Sequence, residues 1–303
     1  MSGAQRLVTV LALSLVGLGI AFELQPAPHP SPRPDGTAAP QRIIVLAPSH
    51  VEMVFALGAG QRVVGVGDYC FAPPEAKAKP RCGGTFNPNY EQMLALRPDL
   101  VVVQGKAEKV EAFCRRYGVR ILHLTVEDLG MLYAAVRELG TVLGAQPEAE
   151  KLIARVRADL DAVAQRVAGR PRPKVFVCIG RQVGSLRSLY STGGPTFLTE
   201  MLTIAGGQNV IADVATRYPT VSKEDLVARA PDVILEVHAG WQGDQASRAK
   251  LVADWAALAS LPAVRNRRIH VLTDDYLLLP GPRIAQVAAR FAEVLHPEAE
   301  GRQ

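Results

Sequence analysis

Like charges do not collect anywhere in this sequence. Its 303 residues hold 34 Lys and Arg against 29 Asp and Glu, a net charge of +5, and the two signs are interleaved. A nucleic-acid binder carries a basic stripe or patch, so nucleic acid is not an expected partner. Long apolar runs are equally scarce. The one unbroken stretch, 7-LVTVLALSLVGLGIAF-22, is short of the roughly 20 residues that span a bilayer, which excludes a polytopic membrane protein. Only four cysteines are present and none precedes Cys70, so no N-terminal cysteine is expected to carry a lipid. No complete phosphate loop or dinucleotide fingerprint occurs, and no nucleophile, base and orienting acid pair up from local motifs, so no catalytic residue is assigned.

What is present is a globular composition, 48% hydrophobic and 21% charged, enough for one sizeable core or two smaller ones. The apolar run behind Arg6, with Gly19 and Ala21 before a cut after Ala21, reads as a secretory signal over 1–21. An uncleaved anchor is the alternative, and membrane contact is expected only in that case. Residues 22–41, containing 25-QPAPHPSPRPDGTAAP-40, lack an apolar face and many backbone donors, as a solvated tether does. The folded part begins near Arg42.

From there strands and helices alternate. RIIVLAP (42–48), RVVGVG (62–67), LVVVQ (100–104) and RILHL (120–124) are short apolar runs, separated by stretches with helical spacing. This pattern predicts a mostly parallel sheet covered by helices, an α/β lobe over 42–146. In 147-PEAEKLIARVRADLDAVAQRVAG-169, Leu152, Ile153, Val156, Leu160, Val163 and Val167 recur along one helical face between Pro147 and Gly169. The alternation then restarts with KVFVCIG (174–180), giving a second α/β lobe over 170–297. The stretch 89-NYEQMLALRPDLVVVQG-105 returns 133 positions later as 222-SKEDLVARAPDVILEVHAG-240, placing Glu91 on Glu224, Pro98 on Pro231 and Asp99 on Asp232. Two similar lobes leave one cleft, at the carboxyl ends of their strands. In an exported, tethered chain that cleft suits a solute catcher better than a metabolic enzyme.

The segments APSHVEMVFALGAGQRVVGVGDYCFAPPEAK, NPNYEQMLALRPDLVVVQ and VSKEDLVARAPDVIL resemble the cobalamin and iron-complex substrate-binding proteins of ABC importers, over nearly all of Arg42 to Pro297. The resemblance implies two Rossmann-like lobes joined by a single long rigid helix, the class III periplasmic-binding-protein architecture, with the ligand cleft between the lobes. It makes 147–169 the connecting helix. It implies a periplasmic or extracytoplasmic protein delivering its ligand to a dimeric ABC permease with its ATPase, and no covalent cofactor. It assigns Glu91 and Glu224 to docking, one glutamate per permease subunit. It places a cleft tyrosine at Tyr69, an aromatic at Tyr218, and an acid followed by an aromatic at Asp275 and Tyr276. Where the family has another cleft tryptophan stands Thr85, beside Phe86, and an expected arginine is Leu279. The ligand is left as cobalamin, another corrinoid, haem or a ferric siderophore.

Several readings stay open beside these. Arg181, Arg187 and Arg217 are candidate cations for haem propionates or an anionic siderophore. Tyr69, His50 or His238 are candidate axial ligands for haem. His50, His123, His238 and Asp275 suit a bare zinc or manganese ion instead, although their spacing carries no local signature. The run 193-GGPTF-197 before a helix is a candidate anion cradle and the basis of an exported-enzyme reading. Cys70 and Cys82 bracket a proline-containing loop in a protein expected to be exported, which predicts a disulfide between them; Cys114 and Cys178 read as buried thiols.

Overall fold

A computed structural model describes residues 39–297. The expectations for the signal at 1–21 and for most of the tether lie outside the described residues. Among the described residues no helix is long and apolar enough to cross a membrane.

The first sheet is built from β1 (Ile43–Val45), β2 (Val63–Val66), β3 (Leu100–Gln104) and β4 (Arg120–Leu124), in the order β2-β1-β3-β4. All its pairings are parallel. Helices α1 (Pro48–Ala56), α2 (Pro74–Lys77), α3 (Tyr90–Ala95), α4 (Glu108–Tyr117) and α5 (Leu129–Leu143) connect and follow the strands. The 22-residue α6 (Gln146–Val167) comes next. The second sheet takes β5 (Lys174–Gly180), β6 (Leu189–Ser191), β7 (Gln208–Asn209), β8 (Thr220–Val221), β9 (Val233–Val237) and β10 (Ile269–Leu272). Its helices are α7 (Phe197–Ile204), α8 (Lys223–Arg229), α9 (Gln245–Asp254), α10 (Pro262–Arg265) and α11 (Ile284–Leu295). Strand order is β10-β9-β5-β6-β8, with β7 paired to the start of β5. Each sheet uses one contiguous stretch of chain, so the backbone passes between them once. The second sheet is less parallel than the alternation predicts: β6 runs antiparallel to β5, and β8 to β6.

Both faces of each sheet are covered, as the short apolar strands require. In β1 and β3, Ile43, Val45, Leu100 and Val102 point to one side, while Ile44, Val101 and Val103 point to the other. In β5, Val175 and Val177 part from Phe176 and Cys178 in the same way. One apolar core contains residues of both sheets together with Leu152, Ile153, Val156, Leu160, Val163 and Val167 of α6. The buried stripe of α6 therefore serves both lobes. At about 1.5 Å per residue α6 is roughly 33 Å long, the diameter of a small domain.

The repeated junction has the same anatomy in each lobe. Asn89 caps α3 by accepting from Gln92 N, and Ser222 caps α8 by accepting from Asp225 N. The helices are left through Arg97 (φ 44°) and Ala230 (φ 48°), both in the left-handed region. The aspartates then fasten the junction to the strand beside it. The Asp99 carboxylate accepts from Gln41 N at 2.8 Å and Arg42 N at 2.9 Å, and Asp232 accepts from Lys174 N at 2.9 Å. Cap, exit and aspartate are thus required by the fold. Glu91 and Glu224 are exposed members of the same repeat and take no part in these contacts.

The predicted Cys70–Cys82 disulfide is not formed: all four cysteines are buried free thiols. Cys70 lies in the core shared by both lobes, whereas Cys82 packs with Ile44, Met93 and Val101 on the opposite side of the first sheet. The intervening loop is closed by other means. Arg81 Nη1 donates to Gly67 O at 2.9 Å and to Cys70 O at 2.8 Å, and Cys82 N donates to Val66 O at 2.8 Å. Burial pushes the Cys70, Cys82, Cys114 and Cys178 thiols up to about 12.

Candidate functional site

In the first lobe the loops after β2 carry the predicted aromatics. Tyr69 is 78% exposed and Phe86 83% exposed. Their loops are neighbours, because Asp68 N donates to Gly83 O and Gly83 N to the Asp68 carboxylate, each at 3.1 Å. Phe71, also exposed, lies beneath the Arg81 guanidinium at 5.4 Å. Tyr69 and Phe86 have no ring partner among the described residues.

The second-lobe candidates are engaged with the protein itself. Tyr218 donates its hydroxyl to Glu127, which follows β4 of the first lobe, at 2.9 Å. Burial and the Glu127 carboxylate both push the Tyr218 phenol well above its usual range. The same flank is tied by Phe197 N donating to Glu127 O and by Leu129 N donating to the Glu200 carboxylate at 2.8 Å. On the other flank Arg283 reaches from the start of α11 to Glu52 of α1 at 2.6 Å and to Asp275 at 2.8 Å. Its guanidinium also lies 5.4 Å from the centre of the half-buried Tyr276 ring. Position 279, where an arginine is expected, is leucine, and the guanidinium that pairs with Asp275 comes from Arg283, four residues later. Asp275 shares this guanidinium with Glu52 and is still 55% exposed.

Of the other cations, Arg181 does not face a ligand. Its side chain is fully buried, held by Glu236 at 2.8 Å and Asp254 at 2.7 Å. Burial opposes its charge, and the two carboxylates outweigh that opposition. Glu236 also accepts from Trp255 Nε1 at 2.6 Å and bonds His238 Nε2 at 2.9 Å. Arg187 and Arg217 are exposed.

The histidines do not converge. His50 is wholly buried in α1 and neither ring nitrogen has a partner among the described residues; burial lowers it to about 4. His123 bonds Gly105 O at 2.9 Å, and His238 is committed to Glu236. Among the described residues no group of three or more His, Cys, Asp or Glu is placed to hold a metal ion. The 193–197 run is likewise no anion cradle. A Cβ on Gly193 would fall 2.8 Å from Thr216 O and 3.0 Å from Val214 O, so the glycine exists to meet carbonyl oxygens, which repel anions.

One cavity lies at the carboxyl ends of β9 and β10. It measures about 420 Å³ and is lined by residues 240–243, Arg248, Thr273 and Asp275. Of its lining only Asp275 was expected. Trp241 was signalled in the sequence by its position between glycines after a strand, and Arg283 by opening the last apolar helix.

A family model described as periplasmic binding protein matches residues 43–276. The chain belongs to the periplasmic binding protein family. A vitamin B12-binding protein of Salmonella paratyphi A is 29% identical over 261 residues, covering 85% of this chain and 91% of that protein. An uncharacterized ABC transporter substrate-binding lipoprotein of Bacillus subtilis is 28% identical over 267 residues, covering 86% of this chain and 81% of the relative. Among solved structures, a periplasmic heme-binding protein from Pseudomonas aeruginosa superposes with a TM-score of 0.75 at 30% identity, covering 87% of this chain and 95% of that one. The fold is that of the class III binding proteins, and the protein is a substrate-binding component of the ABC-importer kind.

Proposed function

We propose that the protein captures a cobalamin, another corrinoid, haem or a ferric siderophore outside the cytoplasm and delivers it to a dimeric ABC permease with its ATPase. The observation that carries the ligand class is the pair of exposed aromatic rings, Tyr69 and Phe86, which have no ring partner among the described residues and stand on bonded neighbouring loops at the strand ends. Flat rings bury much area with few rotors to freeze, which suits a large conjugated ligand. Tyr218, Asp275 and Tyr276 form the opposing face, with Asp275 polarised by Arg283. The relatives that bind vitamin B12 and haem support the same class. Delivery is assigned to Glu91 and Glu224, which are exposed, recur once per lobe, and have no hydrogen bond or ion pair among the described residues. Two equivalent contacts match a two-fold partner.

Absorbance titration of the purified protein with cyanocobalamin, haem and a ferric hydroxamate tests the ligand class. Saturation at one equivalent by one of them is expected. Failure of all three, with zinc or manganese retained on equilibrium dialysis, would replace this reading with the bare-metal one. Turnover of a bound compound would instead make the protein an enzyme.

A further inference from the structure

The buried cluster in the second lobe holds something in place. Glu236 stands in the apolar strand β9, 1% exposed, and uses its carboxylate on Arg181, Trp255 and His238. A buried carboxylate persists only when its lone pairs are taken up. The interaction with His238 is the one that points outward. His238 follows β9 directly, and its ring meets the Trp241 ring at 5.8 Å, tilted by 45°. The indole also lies against Gly243, where a Cβ would fall 1.8 Å from Cζ2 and 2.1 Å from Cη2. Trp241 is therefore in contact with both His238 and Gly243, and His238 is itself fixed from the core.

This indole walls the cavity of about 420 Å³ at the ends of β9 and β10. Arg248 also lines it, exposed, donating one Nη2 hydrogen to Thr273 Oγ1 at 2.9 Å. Among the described residues Arg248 has no ion pair, whereas Asp275, the acid of the same cavity, is already paired with Arg283. The cavity thus offers an aromatic face and, beside an Asp275 that shares Arg283 with Glu52, a guanidinium with no ion pair among the described residues, oriented by one hydrogen bond. Guanidinium donors match oxyanions in pairs, and an aromatic wall beside them prefers a flat neighbour.

We propose that this cavity is a subsite for an oxyanion, carboxylate or phosphate, attached to the flat body of the ligand, with Arg248 pairing the anion and Trp241 covering the plane next to it. As an extension of the main cleft the subsite rests on the reading of that cleft as the home of a large conjugated ligand. It also makes the Glu236, His238 and Gly243 set positioning residues for Trp241.

The two tryptophans make the test direct, since a proton–nitrogen correlation spectrum of the purified protein has one indole signal from Trp241 and one from Trp255. Benzoate, phenyl phosphate and benzamide are the probes. Benzoate or phenyl phosphate should move the Trp241 signal saturably and leave Trp255 still, and benzamide should bind at least tenfold more weakly. Response to benzoate alone marks a carboxylate subsite, and response to phenyl phosphate alone a phosphate subsite. Arg248→Gln should weaken the anions at least tenfold without changing the benzamide response, and Arg248→Lys should restore part of the loss. Gly243→Ala should shift the Trp241 signal before any probe is added. A Trp241 signal unmoved by either anion, equal response to benzamide, or an Arg248→Gln variant that titrates like the parent overturns the subsite. Haem and cyanocobalamin titrated on the parent and on Arg248→Gln separate the two readings. If neither large ligand binds while benzoate does, the cleft reading fails and the subsite stands. If one binds equally to both proteins and Trp241 stays still, the subsite fails and the cleft reading stands.

Discussion

Lowering the pH should destabilise this protein through His50, and the size of the effect follows from its surroundings. The ring is wholly buried with both nitrogens unpartnered among the described residues, and burial lowers its pKa to about 4 from 6.5. Between those values the unfolded chain holds a proton that the folded chain refuses, so stability is full above about 6.5 and falls as the pH drops toward 4. The loss from this one group is about 2 kcal/mol at pH 5 and approaches roughly 3 kcal/mol at lower pH. Burial lowers His270 and His296 as well, which adds to acid sensitivity in the same direction. Comparing the parent with His50→Leu removes those common contributions. Urea unfolding of both proteins followed by circular dichroism at pH 7.5, 6, 5 and 4.5 should give stability curves that diverge as pH falls, with the variant gaining about 2 kcal/mol relative to the parent by pH 5. Parallel curves across that range would mean that His50 is hydrated or partnered in solution, and the buried orphan imidazole would be refuted.

Other consequences can be measured separately. Tyr69→Ala and Phe86→Ala should each weaken ligand binding by about 1–3 kcal/mol in calorimetry, the transfer energy of much of an aromatic side chain; unchanged affinity would place the ligand elsewhere. Glu52→Gln should cost about 3 kcal/mol of stability, the low end for breaking a buried pair, because Arg283 keeps Asp275; a cost near zero would show that the pair is solvated. Native protein should resist alkylation at all four cysteines and take up four labels once unfolded without reductant, whereas two labels would restore a disulfide. Reversing both docking charges, Glu91→Arg with Glu224→Arg, should abolish uptake in cells with the cognate permease while ligand affinity is retained, and one reversal should be intermediate; normal uptake by the double variant would remove these carboxylates from docking.

What the sequence revealed divides along a physical line. The stripe from Leu152 to Val167 was readable because one helix period buries the same face throughout, and all six residues are buried. The duplicated junction was readable because caps, left-handed exits and the strand-fastening Asp99 and Asp232 need particular residues at particular steps. Strands of two or three residues such as β7 and β8 were not, since pairing at that length is set by neighbours far along the chain. Cysteine spacing predicted a bridge because loop length is visible and the face on which each thiol packs is not. Arg181 is only a candidate cleft cation in the sequence, yet its true partner is written in VILEV: a lone glutamate within a buried strand requires a cation or several donors. Tyr218 and Asp275 were found as residues, but their ties to Glu127 and Arg283 join segments up to 91 positions apart and leave no local pattern.

The most direct test of the central claim is the absorbance spectrum of the protein isolated from the export compartment of cells supplied with cobalamin and iron. A spectrum of bound corrinoid, haem or ferric siderophore at one equivalent per chain, lost on denaturation and recovered on refolding with that compound, is the expected result. A colourless protein that takes up none of the three when they are added back, and instead retains a bare metal ion or converts a small substrate, would contradict it.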